Sequence, residues 1–124
     1  MEPAWTIVSH MANHQAALDG VFHALADPTR RAVLRRLGSG PASVSELGEP
    51  FGMALPSFMK HIAVLEESGL IGSKKVGRVR TCRIRQKQLV AAQAWLVEQR
   101  ALWESRTDRL VDYVENLAAK ENPQ

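Results

Sequence analysis

Hydrophobic residues recur at helical spacing in the first third of the chain and predict two helices. From His14 to Leu25, apolar side chains return every three or four residues, which is typical of a helix that buries one face. A second helix follows in DPTRRAVLRRL, where Asp27 is placed to act as the N-cap and Pro28 suits the first helical position. Gly38 marks the end of this helix.

The middle of the chain predicts a short helix, a turn and a longer helix. In SVSELGEPFG, a short helix begins at Ser43 or Ser45 and breaks at Pro50. The longer helix covers residues 55–68, and Gly69 follows it in the position of a left-handed C-cap. The helical wheel predicts a buried face formed by Leu55, Phe58, Ile62 and Leu65. The predicted outer face carries Ser57, Lys60 and Val64, with His61 at its border.

The next segment, LIGSKKVGRVRTCRI, has the pattern of a β-hairpin. It is rich in β-branched residues, and Gly77 stands where a tight turn requires a positive φ. The segment therefore predicts two short strands joined by a basic tip.

The remainder of the chain predicts one long helix, because about thirty residues pass without Gly or Pro. Apolar residues recur every seven positions along it, and we call these five residues the heptad seam: Leu89, Leu96, Trp103, Leu110 and Leu117. A domain this small cannot cover so long a seam, so the sequence predicts a homodimer. The first helix can cover part of the seam within one subunit, but its apolar stripe from Leu18 to Leu25 spans only about two turns.

Charge is unevenly distributed along the 124 residues, although the formal net charge is only +3. No Asp or Glu occurs between Glu67 and Glu98, and that gap contains seven basic residues: Lys74, Lys75, Arg78, Arg80, Arg83, Arg85 and Lys87. Such a cluster favours an anionic partner, with double-stranded DNA as the first candidate, over a surface that is merely solvated.

Cysteine content and hydropathy indicate the compartment and the domain plan. The single cysteine, Cys82, excludes an internal disulfide and fits a reducing compartment. No apolar run approaches the ~20 residues of a membrane span, so no membrane partner and a cytoplasmic location are expected. One domain is predicted over residues 13–120, with flexible ends at 1–12 and 121–124.

The order of these elements predicts a winged helix-turn-helix. The predicted fold is mainly α with a small β-hairpin (α-α-α-α-β-β-α). The longer helix would enter the major groove, and the hairpin would contact phosphates or the minor groove. The predicted DNA-binding residues are Ser57, Met59, Lys60, His61 and Val64 on the helix and Lys74, Lys75, Arg78 and Arg80 on the hairpin.

Several motifs resemble the ArsR/SmtB family of dimeric bacterial repressors, and most of all its branch without metal sites. They are ALADPTRRAVLRRL, SVSELGEPFGMALPSFMKHIAVLEESGLI and KKVGRVRTCRI. The resemblance covers roughly residues 22–117. It implies a homodimer that binds a pseudo-palindromic operator and blocks transcription. The resemblance also implies that the first and last helices build the dimer, which adds Leu18, Val21 and Phe22 to the interface.

The chain departs from the family pattern at two positions. Ala54 and Met59 stand where family members usually have Ser, so the recognition helix lacks a side-chain cap. Met59 either reads a thymine methyl or DNA shape, or packs against the core.

The residues of the family's sensor sites are missing as well. The chain has no Cys-x-Cys near the short helix and no His on the last helix, and His10 with His14 is too small a set for a tetrahedral metal site. No metal, cofactor or catalytic residue is therefore predicted.

Two other functions stay open beside DNA binding. The first is a winged-helix module whose basic wing binds an acidic protein. The second is a sensor of the same family, responsive to a ligand of unknown identity or to oxidation of Cys82, whose pKa Arg80 and Arg83 would lower if the thiol were reactive rather than inert.

Overall fold

The computed structural model of the chain describes residues 4–121, with side chains from residue 15 onward. The helices are α1 (Ala4–Leu25), α2 (Pro28–Leu37), α3 (Val44–Gly48), α4 (Leu55–Glu67) and α5 (Lys87–Glu121). The strands are β1 (Ala42–Ser43), β2 (Ile71–Val76) and β3 (Val79–Ile84), and a 3-10 turn covers Glu49–Phe51. The chain divides into two compact units, Met1–Ala92 and Gln93–Gln124, so the domain predicted over residues 13–120 extends into both.

The local signals in the sequence define the helix ends as predicted. Asp27 caps α2, because its Oδ2 atom accepts a hydrogen bond of 3.1 Å from the backbone N–H of Arg30. Ser43 caps α3 by accepting from the backbone N–H of Glu46, and Gly69 follows α4 with a φ of 78°. The start of α1 differs: the helix begins at Ala4 and takes in most of the segment 1–12 that was expected to be flexible.

The sheet has three antiparallel strands in the order β1-β3-β2, one strand more than the sequence predicted. Strand β1 has only two residues, too few for a period of two to be visible in the sequence. In this strand, Ala42 pairs with Cys82 of β3, and both side chains are buried. The predicted hairpin is confirmed: Val76 pairs with Val79, and Gly77 between them has a φ of 63°.

Helices α1, α2 and α4 and the sheet enclose the core of the first unit. Its largest buried side chains are Phe58, Ile62, Leu65, Leu70, Ile71, Val21, Val33 and Cys82. Burial raises the pKa of the Cys82 thiol and the charge of Glu66 adds to the rise, while Arg80 opposes it only in part. Of the two roles considered for Cys82, its burial in the core thus favours the inert one, because the lowering by Arg80 is outweighed.

Helix α5 is long and exposes most of its apolar residues in the single chain. In its first six residues, only the side chain of Ala92 is buried. Residues 93–121 form the second unit and expose Leu96, Trp103, Leu110 and Leu117 of the heptad seam. Within residues 4–121, no helix combines the length and the hydropathy that a membrane span requires.

The N-cap of α2 gives a pH-dependent prediction. Burial alone would raise the pKa of Asp27, but hydrogen bonds from the backbone N–H groups of Arg30 and Thr29 and the positive charges of His61 and Arg30 lower it below 3.8. The ionised carboxylate thus stabilises the fold above pH 3.8, and this contribution is lost as the pH falls through the lowered pKa.

Asp27→Ala is expected to reduce the free energy of unfolding by about 1 kcal/mol at pH 7. Asp27→Asn keeps the capping acceptor and removes the charge, so it should cost less at pH 7 and match the wild type at the lowest pH. Urea unfolding between pH 3 and 7 measures both, with Asp19→Asn, exposed on α1, as the control. A constant difference between Asp27→Asn and the wild type across this range would contradict the prediction.

Candidate nucleic-acid interface

Helix α4 presents a small polar surface outside the core. Ser57 and Lys60 are exposed, as predicted from the helical wheel. The helix starts without a side-chain cap at Ala54, and Pro56 lies in its first turn. Instead of a side chain, the carbonyl oxygen of Ala54 closes the turn by accepting hydrogen bonds from the backbone N–H groups of Ser57 and Phe58. Backbone hydrogen bonds alone thus close the first turn of α4, and Ser57 in that turn is exposed.

Two apolar residues of α4, Leu55 and Val64, lie differently from the simple helical wheel, and a third, Met59, takes one of the two positions considered for it. Leu55 was expected in the core and is 62% exposed, because the first turn of α4 extends beyond the core that buries Phe58. Val64 was expected to point outward and instead packs, half-buried, against the core. Met59 also packs against the core, which supports packing among the two roles considered for it.

His61 faces α2 rather than pointing straight out of α4. Its Nδ1 atom lies 3.1 Å from Nη1 of Arg30 and 3.7 Å from Oδ2 of Asp27. A guanidinium can only donate, so the contact with Arg30 depends on Nδ1 being the unprotonated nitrogen of the ring. His61 thus connects the recognition helix to the start of α2.

Arg30 is the centre of this connection. Its Nε atom donates to the carbonyl oxygen of Ala24 at 2.8 Å, and Nη2 donates to that of His23 at 3.0 Å. These two carbonyl groups lie at the C-terminal end of α1, where helical partners run out. One side chain therefore joins α1, α2 and α4.

The hairpin β2–β3, which we call the wing, carries exposed cations near its turn. Lys74, Lys75 and Arg78 are all exposed. Arg80 is different, because its Nη1 atom donates to Oγ of Ser73 at 2.9 Å, and the Ser73 hydroxyl donates to Oε1 of Glu66 at 2.6 Å. Ser73 thus connects the wing to the end of α4, and Arg80 donates to the same hydroxyl from the neighbouring strand.

A cleft of about 470 Å³ lies between the start of α3, the start of α4 and the wing. It brings together four predicted DNA-binding residues: Met59, Lys75, Arg78 and Arg80. It also includes Ser45, Glu46, Leu55 and Val79, which sequence reasoning had not assigned to the site. These four residues lie on α3, α4 and β3, so no spacing within the sequence could have brought them together as one site.

The predicted dimer residues fall into three groups by burial. Val21 is 0% exposed in the core, so its side chain is unavailable to a second chain and that assignment is corrected. Leu18 and Phe22 pack against the core and are partly exposed. The five residues of the heptad seam are exposed, with Trp103 at 68%.

A metal site requires at least three His, Cys, Asp or Glu side chains close together, and the described part of the chain contains no such group. The side chains of His10 and His14 lie outside the described residues.

Comparisons with known proteins identify the fold. A family described as a helix-turn-helix domain matches residues 25–72. The crystal structure of an ArsR family transcriptional regulator is 64% identical, covers 73% of this chain and 94% of that chain, and superposes with a TM-score of 0.71. This chain belongs to the ArsR family of transcriptional regulators. An ArsR-like regulator from Rhodococcus sp. RHA1 is 31% identical over 80% of this chain and 93% of its own, with a TM-score of 0.69.

Curated ArsR-type relatives match a shorter part of the chain. The transcriptional repressor SdpR of Bacillus subtilis (strain 168) is 31% identical over 61 residues, which are 49% of this chain and 68% of SdpR. The HTH-type transcriptional regulator Rv2034 of Mycobacterium tuberculosis (strain ATCC 25618 / H37Rv) is 35% identical over 66 residues. Those residues are 53% of this chain and 62% of Rv2034, so this chain spans less than two thirds of that relative.

The contacts of Arg30 predict a measurable loss of stability in this ArsR protein. Arg30→Ala removes three hydrogen bonds that are exposed or only partly buried, and at about 0.5–1.5 kcal/mol for each bond we expect a loss of roughly 2–4 kcal/mol in the free energy of unfolding. The control Arg35→Ala, on the exposed side of α2, should change it by less than about 0.5 kcal/mol.

A double-mutant cycle of Arg30→Ala with His61→Ala isolates the contact between α2 and α4. Urea unfolding of the two single variants and the double variant should give a coupling energy of at least about 0.5 kcal/mol. Additive effects would show that the 3.1 Å contact does not stabilise the position of α4.

Proposed function

We propose that this chain is a transcriptional repressor that binds double-stranded DNA in a sequence-specific manner as a homodimer. The observation that carries the proposal is the exposed polar face of α4 beside a wing whose cations are exposed, both within the first unit. No catalytic role is assigned, and a cytoplasmic location stays a prediction.

The outer face of α4 would read base edges in the major groove. Lys60 can donate to guanine acceptors, and the Ser57 hydroxyl can donate or accept. Leu55, exposed at the start of the helix, is suited to contact a thymine methyl group. The N-terminal end of a recognition helix is the part that approaches bases in this fold.

The wing would contact the phosphate backbone. Lys74, Lys75 and Arg78 have no carboxylate partner among the described residues, so their charge is available to replace condensed counterions. Arg80 differs from them, because its Nη1 donates to Ser73 within the wing, and Ser73 in turn donates to Glu66 on α4. The same charges would suit an acidic protein, and a steep salt dependence with random duplex distinguishes DNA from that partner.

Dimerisation would place two copies of α4 on successive major grooves, about 34 Å apart. The heptad seam supports this, since each of its five apolar residues is exposed in the single chain. A structural neighbour from Mycobacterium bovis at 22% identity is described as a homodimeric winged helix-turn-helix domain.

Lys60→Ala should weaken binding to the cognate operator by ~1–3 kcal/mol while the thermal unfolding midpoint stays unchanged. The operator is obtained by selecting bound duplexes from a random pool, and affinity is then measured by fluorescence anisotropy. Lys87→Ala, exposed at the start of α5, is the matched control. Operator affinity equal to that of the wild type would remove Lys60 from the base-reading surface.

Arg78→Ala should lower affinity for the operator and for random duplex by similar factors, because a phosphate contact carries no sequence information. The slope of log K against log salt should flatten by about 0.9 for each phosphate that the variant no longer neutralises. Titrations across a range of salt concentrations provide both quantities. A weakening confined to the operator would make Arg78 a base reader.

Trp103→Ala should dissociate the dimer, because truncating a buried aromatic side chain costs ~3–5 kcal/mol. Sedimentation velocity at micromolar concentration should show a dimer for the wild type and a monomer for the variant. Val97→Ala, exposed about 100° away from the seam on the same helix, should remain dimeric. A wild-type chain that sediments as a folded monomer would overturn the dimer.

A further inference from the structure

A second concave surface is lined by none of the residues assigned to the nucleic-acid interface. It is a pocket of about 330 Å³ formed by the end of α1, α2, the end of β3 and the start of α5. Its walls are the apolar side chains of Leu25, Leu34, Leu70, Ile84 and Leu89. Its charged side chains are those of Arg31, Arg35 and Arg85. We call this surface the arginine-rimmed pocket.

The apolar walls of the arginine-rimmed pocket belong to the core of the first unit. Leu70 is fully buried, and Leu25, Leu34 and Ile84 pack, partly exposed, against the core. These walls come from four different elements of a packed unit, so the shape is set before any ligand arrives. Preformed apolar concavities of about 300–1,000 Å³ are typical of small-molecule sites.

The three arginines are exposed, and no carboxylate in the described part of the chain forms an ion pair with them. Arg31 donates one hydrogen bond, from Nη1 to the carbonyl oxygen of Leu25 at 2.9 Å. Neither Arg35 nor Arg85 makes an ion pair with a described carboxylate, and no acidic residue lines the pocket. Three guanidinium groups thus surround an apolar floor with most of their donors unused. The chemistry that complements them is an anion attached to an apolar body.

We propose that the arginine-rimmed pocket binds an amphipathic organic anion, whose carboxylate is held by the arginines and whose hydrocarbon chain lies on the leucines. The volume is compatible with a medium-sized ligand. If each heavy atom occupies about the ~30 Å³ of a water molecule, the pocket takes roughly ten heavy atoms, which matches a chain of about eight carbons with its carboxylate.

Two other occupants fit the pocket less well. A nucleic acid would engage the arginines but would leave the apolar walls hydrated. A second copy of the chain is the stronger rival, because Leu89 belongs both to the pocket and to the heptad seam. The face of a helix is nevertheless convex, whereas four elements line this concave pocket. A small ligand therefore matches its shape better than a helix does.

The position of the pocket at the base of the wing suggests how an anion bound there would affect operator binding. Ile84 and Arg85 connect the wing to α5, and Arg31 and Arg35 follow Arg30 on α2. An anion bridging Arg35 and Arg85 would therefore alter the base of the wing relative to α2. This effect on operator affinity rests on the proposed function, whereas ligand binding itself does not.

The experiment titrates the full chain, labelled with ¹³C in Leu and Ile methyl groups, with sodium octanoate, which has ten heavy atoms. Methyl signals of Leu34, Leu70 and Ile84 should shift in a saturable way. Octanol, which lacks the charge, should bind at least fivefold more weakly, and acetate, which lacks the chain, should shift none of these signals.

Charge variants then test the role of the arginines. Arg35→Gln with Arg85→Gln should weaken octanoate binding at least fivefold and leave octanol binding unchanged. Arg36→Gln with Arg83→Gln removes the same charge from nearby exposed positions that do not line the pocket, and should bind octanoate like the wild type. Thermal unfolding verifies that both variants are folded.

Several results would overturn the proposal. They are the absence of methyl shifts at millimolar octanoate, equal affinities for octanoate and octanol, and an equal weakening in both double variants. Intermolecular contacts from a second copy to the methyl groups of Leu34 or Ile84 would show that this face is a subunit interface. Operator binding is measured separately, so a chain that fails to bind DNA yet binds octanoate would refute the proposed function alone.

Discussion

The burial of one side of α4 is the constraint on which the rest of the structure depends. Phe58, Ile62 and Leu65 lie four and three residues apart and are almost completely removed from solvent. Their burial fixes the rotation of the helix about its axis, so that Ser57 and Lys60 project outward. A rotation of one residue position would move each apolar side chain about 100° out of the core, at a cost of roughly 1.5–3 kcal/mol for each one exposed. The polar face of α4 is thus a consequence of core packing.

Hydrogen bonds then connect α4 to the neighbouring helices and to the wing. Arg30 joins the carbonyl end of α1 to His61 on α4, and the Arg80–Ser73–Glu66 chain joins the wing to the end of the same helix. Both networks use an arginine, whose planar group donates several bonds in fixed directions. The recognition helix is therefore positioned from both sides without a hydrogen bond from a side chain at its own N-cap. Neither network uses Ser57 or Lys60, so both stay available on the exposed face of α4.

The cations of the chain consequently serve different purposes at different places. Arg30 and Arg80 are engaged in internal hydrogen bonds, whereas Arg78 is exposed at the wing. Arg35 and Arg85 surround an apolar pocket instead of an open surface. A cluster of positive charge in a sequence can accordingly contain both cations held in internal hydrogen bonds and cations that stay exposed, and the local partners of each guanidinium decide which one it is.

The sequence by itself determined the helix order, the caps at Asp27 and Ser43, and the turn at Gly77, because these depend on residues within a few positions of one another. It also indicated the family, whose motifs are continuous stretches of chain. Tertiary structure decided the burial of Cys82 through its pairing with β1 and the exposure of Leu55 beyond the core. These features rest on partners far away in the sequence, and a helical or strand period records only which side of an element is apolar, not what covers it.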